Sequence, residues 1–144
     1  MDTLITNDVL VACFIAWLVA QLTKPLIYFV HSRRLNLRYF VSAGGMPSSH
    51  SAVVVALATR IGIDTSLNSV PFALAAVFAA VVMYDAAGVR RAVSLQARVL
   101  NRMLTEMLEA QHFNEGRLRE LIGHTPFEVF VGALLGALSA ISLR

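Results

Sequence analysis

Four short polar clusters interrupt an otherwise apolar chain, and the residue types in them could carry out chemistry. Lys24 closes the first apolar run. Gly44-Gly45-Met46-Pro47-Ser48-Ser49-His50 opens the second, Asp85 through Arg91 closes the third, and Gly123-His124-Thr125-Pro126-Phe127-Glu128 opens the fourth. His50 and His124 titrate near neutral pH, so one could act as a nucleophile and the other as a general acid. Lys24, Arg90 and Arg91 supply cations, and arginine grips phosphate with two parallel N–H donors. Ser48 and Ser49 add hydroxyl donors, and the Gly44-Gly45 pair lets backbone approach a ligand closely. Together these groups favour an anion, with phosphate the best fit.

The elements that must position these clusters follow from composition. The chain has 144 residues, the size of a single domain, with 57% hydrophobic and 15% charged residues, a formal net charge of +3 and a mean hydropathy of +0.67. Too few charges are present to cover a water-facing surface, which excludes an ordinary soluble domain and a disordered chain. The small basic excess, without a stripe of basic and aromatic residues, argues against nucleic-acid binding. The lone Cys13 excludes an internal disulfide and a cysteine-cluster metal site.

Apolar runs at 9–30, 51–63, 71–89 and 127–143 predict an all-α membrane protein, a four-span helical bundle. The second run is marginal; it holds Arg60 and must start at or before Ser48. Four alternating helices bring all four polar clusters to one membrane face. The second and fourth helices begin at that face, so their N-terminal N–H groups and positive dipole ends would point into the site. No basic segment precedes the first run, so the first helix is expected to be retained, not cleaved.

Between the third and fourth runs, Val93, Ala97, Leu100, Leu104 and Met107 fall on one helical face and Arg91, Arg98, Thr105 and Glu109 on another. That pattern predicts an amphipathic helix at the membrane surface or packed on the bundle. The two long connections carry ten of the twelve basic residues, counting Lys24, against Arg60 and Arg144 on the other side. The positive-inside rule then places the connections, the amphipathic helix and the site at the cytoplasmic face, with both termini outside. Gly132 and Gly136 allow close helix contact, either within one chain or in a homodimer.

Each polar residue also has a plain structural reading. Lys24, Arg90 and Arg91 could snorkel at helix ends. Ser48 could simply cap a helix, and Thr125-Pro126-Phe127-Glu128 matches a capping box with proline at the first helical position. Asp85 could pair with Arg90 or Arg91, although Asp85 and Arg90 are five apart, not an ideal helical spacing. A small transporter would place an ionisable residue near mid-membrane, whereas the span centres at Ala16, Val55, Ala79 and Leu135 are uncharged.

The segments GGMPSSHSA, YDAAGVRRA and GHTPFEV, with Gln21 and Lys24 upstream, resemble the divergent PAP2 family, small membrane proteins related to type 2 phosphatidic acid phosphatases and vanadium haloperoxidases. The resemblance covers nearly the whole chain and implies a PAP2-like core. It implies that Ser48 binds phosphate, His50 is the acid and His124 attacks phosphorus to form a phosphohistidine. Glu128 would then stand where the wider superfamily has the aspartate that orients the nucleophile. Lys24, Ser49, Gly45, Arg90 and Arg91 would complete the phosphate site with Asp85 in support. No metal or other cofactor is required, and vanadate should mimic the transition state.

The sequence departs from the superfamily pattern at several points. Ser49 stands where Ser-Gly-His has glycine, Leu118 occupies the position six before His124 where an arginine is expected, and Arg117 and Arg119 flank it. The Lys-x6-Arg-Pro motif is also broken, with His31 seven residues after Lys24. The resemblance implies a lipid phosphate phosphatase whose partner is a phospholipid substrate in the bilayer, with phosphatidylglycerophosphate favoured because it is made on the cytoplasmic face. The departures keep a non-catalytic phospholipid-binding or scaffold protein as the alternative, and a small four-helix transporter behind it.

Overall fold

Every apolar run becomes a helix, and each start is written in its cap. The computed structural model describes residues 7–33, 45–110 and 123–143. α1 spans Asp8–Ser32, with Asn7 Oδ1 accepting from Leu10 N at 3.1 Å. α2 spans Ser49–Asp64 behind the Ser48 cap, so the marginal second run does start at Ser48. α3 spans Val70–Ala87, capped by Ser69, with Pro71 in the first turn where its missing N–H costs nothing. α4 spans Val89–Ala110, and α5 spans Pro126–Ser142 behind a complete capping box. No strand occurs among the described residues.

α1 and α3 are long and apolar enough to cross a membrane. Both turn large apolar side chains outward, including Phe14, Leu22 and Leu26 on α1 and Val77, Phe78 and Val81 on α3. Water would penalise such a surface and hydrocarbon does not. α2 and α5, at 16 and 17 residues, are shorter. At about 1.5 Å per residue they reach roughly 24–26 Å, about one turn less than a typical hydrocarbon core.

α2 is the central helix and packs against α1, α3 and α5. Small residues make this close packing possible. Ala12, Ala16 and Ala20 form a four-residue ridge on α1 that meets Ala52 and Ala56 of α2 and Ala140 of α5, all with no exposed surface. On α5, a Cβ at Gly132 would collide with the carbonyl oxygen of Ser48, and one at Gly136 with that of Ala52. The glycine pair therefore packs α5 against the backbone of α2 within a single chain. Because the obstructing atoms are backbone, Gly136→Ala is expected to destabilise the fold by about 1–3 kcal/mol. Thermal unfolding of purified protein in detergent checks this, and an unchanged midpoint would contradict the packing.

Contacts at the two ends set the helix directions. At one end, Ser48 N donates to the Glu128 carbonyl at 3.1 Å and His124 N to the Ala86 carbonyl at 3.3 Å, so α2 and α5 begin where α3 ends. At the other end Arg60, 8% exposed, holds three elements together. Its Nε donates to Asp64 at 3.0 Å, Nη2 to Asp8 at 3.2 Å and Nη1 to the Leu143 carbonyl at 3.2 Å. α1 and α3 thus run antiparallel to α2 and α5. The guanidinium serves the C-terminal ends of α2 and α5, where the helix dipole favours a cation.

The amphipathic segment is helical, as its pattern predicts, and among the described residues it packs only on α3. Asn101 is buried while Val93, Leu100 and Met103 remain exposed. A turn at Gly88 separates α3 from α4, so Asp85 and Arg90 lie on different helices.

Candidate functional site

The end of the bundle defined by the starts of α2 and α5 collects Lys24, Ser48, Ser49, His50, His124 and Glu128. Lys24 lies two turns before the end of α1, since the helix continues through Pro25 to Ser32. It does not snorkel. It is 2% exposed, and its Nζ donates to Ser49 Oγ at 3.2 Å. An ammonium held this deep lends positive charge to the first turn of α2, whose leading N–H groups lack partners within the helix.

Ser48 is pinned by everything around it. Its N–H donates to Glu128, its carbonyl accepts from Ala52 N at 3.1 Å, and its Oγ accepts from Ser51 N at 3.3 Å and from Ser51 Oγ at 3.0 Å. Both serines have no exposed surface. Just upstream, Gly45 takes φ 88°, a conformation open to glycine and strained for other residues, and the Met46–Pro47 bond is cis. These residues deliver the chain into the start of α2.

His124 immediately precedes the Thr125 cap of α5 and is 1% exposed. Its Nδ1 lies 3.1 Å from Glu128 Oε2. The same carboxylate oxygen accepts from Thr125 N at 3.0 Å, while Thr125 Oγ1 accepts from Glu128 N at 3.3 Å. His124 lies outside the helix, and the pair forms because Glu128 folds back over the helix start as the capping-box residue. Capping and histidine orientation are therefore one interaction. The imidazole of His50, half-buried, stands at 6.0 Å centroid to centroid from that of His124, with the ring planes 65° apart.

Both helix N-termini were expected to attract the anion. At α5, however, Glu128 already occupies the N-terminus and adds a negative charge there. The electropositive side belongs to α2, backed by Lys24.

Asp85 lies in the last turn of α3, one residue before the carbonyl that holds His124 N. Arg90 and Arg91 belong to the first turn of α4, just past the end of α3. Gly44, Arg117 and Arg119 lie outside the described residues. Among the described residues, no group of three or more His, Cys, Asp or Glu could hold a metal ion. Sequence reasoning missed Ser51 and Arg60. Ser51 could have been found from its place three residues after a serine cap, and Arg60 from its spacing of four from Asp64.

The chain matches the divergent PAP2 family over residues 5–139 and belongs to it. It is 41% identical to YuiD of Bacillus subtilis strain 168, described as an uncharacterized membrane protein, across 97% of this chain and 96% of that one. No solved structure matches it.

Proposed function

We propose that this member of the divergent PAP2 family is a metal-independent lipid phosphate phosphatase, built as a four-span bundle with its site at the cytoplasmic interface. The observation that carries the reading is the buried His124 whose Nδ1 is engaged by Glu128, with a second histidine ring 6.0 Å away. With Nδ1–H directed at the carboxylate, the lone pair of the neutral ring lies on Nε2, the tautomer a nucleophile needs.

Nε2 of His124 attacks phosphorus, the bond from phosphorus to the lipid oxygen breaks, and His50 protonates that oxygen. Water then attacks the phosphohistidine, His50 takes the water's proton, the P–N bond breaks, and inorganic phosphate leaves. Lys24, Ser48 and Ser49 hold the phosphoryl oxygens, and the backbone at Gly45 can pass close to them. Arg90 and Arg91, in the first turn of α4, would complete the clamp, with Asp85 in support. The half-buried His50 is the group left to protonate the departing lipid alcohol.

Phosphatidylglycerophosphate is the favoured substrate, since the charge distribution orients the site to the face where that lipid is made. The test is phosphate release from it by purified protein in mixed micelles, beside phosphatidic acid and polyprenyl pyrophosphate. Release from phosphatidylglycerophosphate is expected to be inhibited by vanadate. Its rate should also be bell-shaped in pH, because His124 must be neutral while His50 is protonated. Tight lipid binding with no release from any of the three would instead make the protein a binder.

A further inference from the structure

Ser51 lies within the GGMPSSHSA segment but is given no role by the resemblance, yet it is fully buried and makes two hydrogen bonds to one atom of the site. A serine hydroxyl offers one proton and two acceptor lone pairs. At Ser48 Oγ both acceptor positions are used, one by the Ser51 amide and the other by the Ser51 hydroxyl. The amide contact is ordinary helix capping and requires only a backbone N–H at this position. The hydroxyl contact requires a serine or threonine side chain. With both lone pairs engaged, the one thing Ser48 Oγ can still offer a ligand is its proton.

We propose that Ser51 is a positioning residue that makes Ser48 a dedicated hydrogen-bond donor to the phosphoryl group, an inference that rests on the phosphatase reading above. A serine free to rotate can turn its lone pairs towards an anion, which repels it. The Ser51 hydroxyl removes that orientation before substrate arrives, so no reorganisation is needed when negative charge builds on the phosphoryl oxygens.

The two contacts can be separated experimentally. Ser51→Ala keeps the amide and so keeps the cap, but removes the hydroxyl. Vanadate affinity and kcat/KM for phosphatidylglycerophosphate are each expected to fall about tenfold, with the thermal midpoint and both limbs of the pH profile retained. Ser51→Thr is expected to restore most of the loss. In a Ser48→Ala background, Ser51→Ala should add almost nothing, because its effect passes through Ser48. Equal losses in both backgrounds, or a lowered midpoint with unchanged vanadate affinity, would show a purely structural role and overturn the proposal. Wild-type turnover that Ser51→Ala leaves unaltered would overturn it while sparing the phosphatase reading. A wild type that neither releases phosphate nor binds vanadate overturns both.

Discussion

His124→Ala is expected to reduce phosphate release to about one-thousandth of the wild-type rate or less, since loss of a covalent nucleophile leaves only binding and electrostatic stabilisation. The folded state should tolerate the change. Both contacts of the capping box, Thr125 N to Glu128 Oε2 and Glu128 N to Thr125 Oγ1, are independent of the imidazole. The cost is a small cavity and one lost hydrogen bond, about 1–3 kcal/mol. Rapid-quench trapping provides the sharper measurement. Wild type incubated with labelled substrate should yield an acid-labile, base-stable phosphoprotein, and His124→Ala should yield none. A variant that retains turnover within tenfold of wild type would remove His124 from the reaction.

Glu128→Gln is expected to produce the second-largest loss, a fall in kcat of about a hundredfold or more. In serine proteases the comparable loss of a histidine-orienting carboxylate costs about 10⁴. Glutamine retains the ability to close a capping box, so helix α5 should start where it does now. What disappears is the negative charge that stabilises the imidazolium and the purely accepting partner that keeps the proton on Nδ1. A glutamine amide can donate to Nδ1 instead, which moves the ring proton to Nε2 and blocks attack. Glu128→Ala should match this loss in kcat and also lower stability by about 1 kcal/mol, because the back-contact to Thr125 N is lost. Measuring kcat and thermal midpoint for both variants separates the two duties of one carboxylate. Equal activity of Glu128→Gln and wild type would leave only the capping role.

The helices were legible because their signals are local. Asn7, Ser48, Ser69 and Thr125 each precede an apolar run, and all four prove to be caps. The segregation of Lys24, the Ser48 region and His124 to one end also follows from helix alternation alone. Depth and direction were not legible. Nothing in the sequence distinguishes a snorkelling lysine from Lys24, which is buried because Ser49 lies within reach on another helix. Gly132 and Gly136 announce close packing but not their partner, which is the backbone of α2. The identity of Glu128 as both cap and histidine partner was ambiguous for a physical reason: both readings use the same side chain at the same spacing, and a single oxygen fulfils both.

The Arg60 junction imposes an order in time on how this protein is made. Its guanidinium waits for Asp8, 52 residues earlier in the chain, and for the Leu143 carbonyl, 83 residues later. The opposite end has the same dependence, because Ser48 N meets the carbonyl of Glu128 only once α5 is in place. Contacts so distant in sequence are slow to form and cannot form before their later partner has been synthesised. A nascent chain therefore carries a half-satisfied arginine and an incomplete pair of histidines until α5 emerges. The bundle and the candidate site then form together, once α5 is in place.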